Sequence, residues 1–361
     1  MRDAINIGVS WQRVLDLADH HNVRPLLLQS LKSVCWDLVP ESIKLELEHF
    51  NTINIQKNLS FAAETLRLVA MFREVGIQTA TFKGAVLAEG VYGDLSLREF
   101  SDLDLIVPEP DVCEAERVLT ACGYKATFPD KDYRLAFLRY HGQYAFHNPR
   151  TGLRVDLHWR FCRTGVAFAL QPAEIWPRLA NVSLADRSVP TLAKDDLALF
   201  LAAHGTKEGW KRLAWVCDFA ELLRAYQDIN WLQIHERAQR ARSSRALLLA
   251  ILLASDVLDA PAPLTLVNEA RKNAIVRSLA EKAITGMLQS TPNGEFSEFV
   301  GNLKTHDHLW DRISPLVQLL TTRTVADQQA MPLPKSLWGV YYVTRPFRLA
   351  GKGARMLLGS N

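Results

Sequence analysis

The sequence predicts an α+β chain, with a small mixed β-sheet core and its helices flanked by N-terminal and C-terminal helical regions. Three observations carry this expectation. Apolar residues recur at helical spacing through about residue 75, the period then falls to two in several short runs, and from about residue 193 the helical period returns. With no internal repeat and no low-complexity linker, the boundaries rest on the change of period alone. They divide the chain into an N-terminal helical region (1–62), an α/β core (63–190) and a C-terminal helical domain (191–361).

Leu59, Ala62, Leu66, Val69 and Phe72 mark the last N-terminal helix, and Gly76 is expected to cap it. Residues 77–82 read as a short strand, Lys83-Gly84 as a turn, and residues 85–92 as a helix. A second strand covers 102–107 and stops at Pro108. A helix over 111–122 follows, with Val112, Ala115, Val118 and Leu119 as its apolar positions and Gly123 as its cap. Residues 142–146 and 153–159 form a hairpin around Asn148-Pro149-Arg150-Thr151-Gly152, which is rich in turn formers.

Composition is that of an ordinary soluble protein, and a net charge of +3 is too small to argue for nucleic-acid binding by itself. Five cysteines (Cys35, Cys113, Cys122, Cys162, Cys217) are an odd number without a CxxC pair, which argues against a disulfide framework or a zinc ribbon. The start, MRDAINIGVSW, has no apolar h-region, so no signal peptide is expected. The longest apolar run, 246–254, is about half the length of a membrane-spanning helix, and the expected location is cytoplasmic.

The chemistry concentrates in two strands. In SDLDLIVPEP (101–110), Asp102 and Asp104 point to one face while Leu103, Leu105 and Val107 point to the other. In RVDLHWR (154–160), Arg154, Asp156 and His158 share one face, and Val155, Leu157 and Trp159 the opposite one. If the strands are neighbours over one core, three carboxylates converge on the exposed side, which is what a pair of Mg²⁺ ions requires. Upstream, the Lys83-Gly84 turn opens a helix and offers backbone N–H groups and a point charge to phosphate.

The LKG-type turn, here Phe82-Lys83-Gly84, together with LREFSDLDLIV and RVDLHWR resembles the nucleotidyltransferase superfamily typified by DNA polymerase beta. More closely, it resembles the bacterial family of largely uncharacterised nucleotidyltransferases, over roughly residues 60 to 225, counting HGTKEGWKRLAWVCDFAELL (204–223). The resemblance departs from the superfamily at Ala85, where a serine usually follows the glycine, and in the long separation of Gly84 from Asp102. It implies a nucleotidyltransferase core and two-metal catalysis with Mg²⁺, or Mn²⁺ in its place, and an NTP as substrate. Asp102, Asp104 and Asp156 are then the catalytic and metal-holding residues, with Lys83 and Gly84 on the triphosphate.

Further nucleotide-binding candidates carry two readings each. Arg98, just before Ser101, either neutralises the triphosphate or forms a surface ion pair. His158 either touches substrate or metal, or orients Asp156 by a hydrogen bond. Lys211, Trp215 and Asp218 fall on one stripe of a helix, with His204 and Lys207 upstream on a segment interrupted by Gly205 and Gly209. Lys207, Lys211 and Trp215 either hold a base and a phosphate or form a solvated basic edge.

His306 and His308 have no matching ligand cluster and read as a surface loop. Residues 335–361 carry five basic residues and no acid, and read as a docked helix or tail before a membrane-surface segment. Neither a Walker motif nor a G-x-G-x-x-G is present. The expected function is transfer of a nucleoside monophosphate from an NTP to an unidentified acceptor, a small molecule, sugar, peptide or protein before RNA. The alternatives are a catalytically inactive nucleotide-binding scaffold or sensor and a toxin-like enzyme acting on tRNA.

Overall fold

A computed structural model describes residues 2–127, 141–161, 168, 170–289, 307, 327 and 330–358 of the chain. Four helices open it: α1 (Arg2–Ile7), α2 (Trp11–His20), α3 (Arg24–Val34) and α4 (Glu41–Glu74). Ser10 caps α2 by accepting from the Arg13 N–H, satisfying one of the donors a helix start leaves over. At the far end of α4, Gly76 (φ +75°) permits a Schellman turn, with Gly76 N–H donating to Arg73 O and Ile77 N–H to Phe72 O.

The inward face of α4 is set by Asn54, Asn58, Phe61, Ala62, Thr65, Leu68, Val69 and Phe72. Leu59, expected on the core stripe, is 54% exposed. It lies roughly 130° around the helix from the line through Asn54, Thr65 and Phe72, which faces the core. The true stripe admits two asparagines.

A five-stranded mixed sheet follows, in the order β1-β2-β5-β4-β3. Its strands are β1 (Ala80–Thr81), β2 (Leu103–Ile106), β3 (Lys125–Ala126), β4 (Gln143–His147) and β5 (Arg154–His158). The central pair, β2 and β5, is parallel, while β1 on β2, β4 on β5 and β3 on β4 are antiparallel. Helix α5 (Gly84–Leu87) leaves β1 and continues as a π turn over Ala88–Tyr92, and α6 (Val112–Ala121) follows β2. The first strand is shorter than the expected 77–82.

After α7 (Pro172–Ile175), β6 (Ala180–Leu184) and β7 (Arg187–Thr191) form a separate hairpin that the sequence reading lacks. Its turn residues Ala185 and Asp186 both have positive φ, a conformation usually signalled by glycine or asparagine.

The helical half comprises α8 (Lys194–Lys207), α9 (Leu213–Ala225), α10 (Trp231–Arg240), α11 (Ser244–Leu258), α12 (Leu264–Lys272) and α13 (Ala274–Gln289). The apolar run 246–254 lies within α11, is buried throughout, and packs against α8, α9, α12 and α13. Among the described residues no helix is long and apolar enough to cross a membrane.

The sheet has a core on each face. Leu103, Leu105, Val107, Val155, Leu157 and Trp159 pack with Phe72 of α4 and Leu119 of α6. Ala80, Phe82 and Ile106 on the other side join a core with Phe200, Phe219 and Ile251 of the helical half. The aspartate-bearing face is therefore not the open side of the sheet that the strand alternation suggests, because the C-terminal helices lie over it.

His306 and His308 fall outside the described residues. The described part of 335–361 is a 3₁₀ turn (Lys335–Val340) and helix α14 (Tyr341–Leu358). Arg345 and Arg348 pair with buried Asp327, while Tyr342, Val343 and Phe347 are exposed.

Candidate active site

The parallel pairing of β2 with β5 sets Asp104 directly opposite Asp156, and Ile106 opposite His158. Because alternate residues share a face, His158 comes to lie beside Asp104, not over Asp156 as the orienting reading had it. Its Nε2 is 2.9 Å from Asp104 Oδ1. Lys83 Nζ, from the turn after β1, donates to the same oxygen at 3.3 Å. Gln143 of β4 donates to Asp156 Oδ2 at 2.9 Å.

Three donor atoms remain unused. Asp104 Oδ2, Asp156 Oδ1 and His158 Nδ1 are buried and have no hydrogen-bond partner among the described residues. A buried polar atom without a partner costs about 1–3 kcal/mol, so three in one place call for an occupant. One ligand atom from each of Asp104, Asp156 and His158 lies within 4.8 Å of the others, a donor set that fits a divalent cation. Asp102 precedes the β2 ladder on the same face, half-buried, and stands outside this set of three.

The charges are unequal. Burial works against ionisation of Asp104, but Lys83 and His158 outweigh it and hold the carboxyl well below the usual carboxylate range. Burial raises Asp102, and the negative charge of Asp104 adds to it. Burial likewise raises Asp156, opposed by His158 and reinforced by the other two aspartates. The cluster thus contains one carboxyl held well below the usual carboxylate range and two pushed above it.

The family model described as uncharacterised nucleotidyltransferase matches residues 8–259, which include every strand of the sheet and the whole cluster. The chain belongs to this nucleotidyltransferase family. Two solved structures show weaker likeness. The lincosamide antibiotic adenylyltransferase LnuA, bound to lincomycin, is 15% identical over 44% of this chain and 94% of its own, with a TM-score of 0.32. The antibiotic-resistance factor ANT(2'')-Ia is 12% identical over 53% of this chain and 96% of its own, with a TM-score of 0.36. No curated protein matches the sequence.

In this nucleotidyltransferase the phosphate-turn candidate Gly84 has φ +54°, and a Cβ there would meet Asp102 O at 3.5 Å. The backbone conformation, more than space, demands glycine. Ser101 is exposed beside Asp102. Arg98 is neither a surface ion pair nor an open cation: its Nε and Nη2 donate to Asp218 Oδ1 and Oδ2 at 2.7 and 2.8 Å, and the aspartate is 2% exposed. Tyr92 donates to the same Oδ1 at 2.7 Å.

Helix α9 begins at Leu213, so Lys211 lies on the preceding turn instead of sharing a helical stripe with Trp215 and Asp218. Nor does Gly205 interrupt a helix: α8 runs through it, and its missing side chain leaves room for the Trp210 indole, which a Cβ would meet at 2.5 Å. Lys207 is exposed and pairs with Glu208 at 3.5 Å. Trp215 is half-buried, edge-on to His204, which stacks on Phe200. Burial, with Lys83 and Lys207 nearby, pushes His204 well below the ordinary histidine range, so it is neutral.

Several site residues escaped the sequence. Phe82 packs on His158, Phe161 and Phe200, and Lys83 Nζ lies 5.4 Å from the Phe200 ring centre. From α4, Asn54 donates to Arg98 O at 3.1 Å, and Asn58 to Leu95 O and Arg98 O at 2.7 and 2.8 Å. Arg24 and Glu99 pair at 2.8 Å. These contacts fix the loop that delivers Asp102. The signal was two asparagines at i, i+4 on an apolar helix stripe; for Gln143 the sequence offers none.

Proposed function

We propose that this chain is a metal-dependent nucleotidyltransferase that moves a nucleoside monophosphate from an NTP to an acceptor hydroxyl and releases pyrophosphate. One observation carries the reading: buried Asp104 Oδ2, Asp156 Oδ1 and His158 Nδ1 lack partners at the point where two strands place two aspartates side by side. Asp104 and Asp156, with Asp102 at the strand entrance, are the residues to hold Mg²⁺. When bound, such ions lower the pKa of the acceptor hydroxyl and neutralise charge on the triphosphate.

The protein's own groups have separable tasks. Asp156, opposite Asp104 on the neighbouring strand, is placed to receive the proton of the attacking hydroxyl. The acceptor oxygen bonds to the α-phosphorus while the bond to the bridging oxygen breaks, and that electron pair leaves with pyrophosphate. Lys83 and the Gly84 N–H meet the phosphates as the triphosphate enters. Phe82 and Phe200 exclude water from one side of the cluster.

Calorimetric titration of each NTP with Mg²⁺ into the protein, beside the Asp102→Ala/Asp104→Ala variant, tests the reading. The expected result is metal-dependent binding of an NTP that the variant loses, followed by transfer of an α-labelled nucleotide to an acceptor. No binding to either protein down to about millimolar, or −4 kcal/mol, would leave the inactive scaffold as the better reading.

A further inference from the structure

Taking the site to be metal-dependent as above, we propose that it selects a divalent transition-metal ion, Mn²⁺, over Mg²⁺, because His158 supplies a ring nitrogen beside one oxygen each from Asp104 and Asp156.

The donor set is two carboxylates and one imidazole, with their ligand atoms within 4.8 Å of one another. Two ligands on one ion with bonds of about 2.1–2.2 Å lie at most about 4.4 Å apart, so closure needs a movement of no more than roughly half an ångström. Asp104 and His158 are 2% and 5% exposed, which leaves little room for the several waters that Mg²⁺ prefers to keep. Mg²⁺ takes oxygen ligands. Imidazole suits the softer first-row ions, and mixed carboxylate–histidine sets are the ligands of di-iron and di-manganese proteins.

A purely positioning histidine accounts for less. If Nε2–H donates to Asp104 Oδ1, the buried Nδ1 lone pair has no donor among the described residues. Two more unpartnered atoms, Asp104 Oδ2 and Asp156 Oδ1, belong to the same group. Lys83 on Asp104 Oδ1 supplies the positive charge that a cation would otherwise bring.

The test uses the full chain freed of metal. Mn²⁺ is titrated in and read by the electron spin resonance of the free ion, with Mg²⁺ as competitor, and pulsed measurements look for nitrogen coupling to the bound ion. Wild type is expected to bind Mn²⁺ at least about tenfold more tightly than Mg²⁺, with coupling from an imidazole nitrogen. His158→Gln keeps a side-chain N–H for Asp104; it should lose the coupling and most of the preference while holding Mg²⁺ within about threefold. Bound Mn²⁺ without nitrogen coupling, or an unchanged preference in His158→Gln, overturns the proposal and leaves the metal-dependent transferase standing. Failure of wild type to bind either ion removes both. If His158→Gln does not melt cooperatively, the wild-type nitrogen coupling decides alone.

Discussion

Asp104 on the sheet and Asp218 and Asp196 in the helical half are equally hidden, at 2%, 2% and 1% exposure. Their surroundings differ. Asp218 has both oxygens engaged by Arg98, with Tyr92 added, and Asp196 is gripped by Arg178 and Arg237. Asp104 has its two partners on one oxygen and nothing on the other. Burial of a carboxylate therefore does not mark a working site in this molecule. What marks it is the gathering of three unpartnered buried atoms, on Asp104, Asp156 and His158, in one place.

The comparison predicts opposite consequences of removing the charge at one aspartate or the other. Asp104→Asn should weaken metal-dependent NTP binding by at least about 100-fold while changing unfolding free energy by less than about 1 kcal/mol. Calorimetry and urea unfolding on one preparation check both halves. Asp218→Ala should do the reverse, costing about 3–5 kcal/mol because Arg98 is left buried without its counter-charge. NTP affinity per folded molecule should then fall by much less than in Asp104→Asn. If Asp218→Ala unfolds at the wild-type urea midpoint, the contrast between the two aspartates fails.

A smaller effect separates support of the site from its chemistry. Asn58→Ala removes two hydrogen bonds to the loop before Asp102 and should cost about 1–3 kcal/mol. Thermal melting with and without Mg²⁺ and NTP should show that the ligand restores part of the loss.

The smallest expected effect is one of pH. His21 accepts from the Leu213 N–H through Nδ1 at 3.3 Å and donates through Nε2 to Met287 O at 3.1 Å, so it must be neutral. Burial lowers its pKa, so the unfolded chain binds the proton more readily. Its contribution is complete above the unfolded value of about 6.5 and is lost as pH falls below it. Melting temperatures from pH 7.5 down to 5 should drop less in His21→Gln than in wild type; parallel curves would count against the tautomer.

Much of the aspartate-bearing strand pair was legible because its signals are local. Alternation in SDLDLIV and RVDLHW fixes which side chains share a face, and adjacency of β2 and β5 then sets Asp104 against Asp156. The partner of Arg98 lies 120 residues away and no spacing rule reaches it. One of the two readings of His158 gave it to Asp156, two residues away, whereas the fold carries it to Asp104. The hairpin β6–β7 was hidden by a proline in one strand and a turn without glycine. Gly205 was taken for a breaker because its use, clearance for the Trp210 ring, exists only after folding.

Phe82, the residue before the Lys83-Gly84 turn, touches rings on β5, on the segment after it and on α8. A recombination point at the change of sequence period near residue 191 would cut through this aromatic cluster instead of a linker. Exchange of the helical half between relatives must therefore carry position 200 and its neighbours as a matched set. A chimera that ignores them inherits all three aspartates and a misplaced lysine.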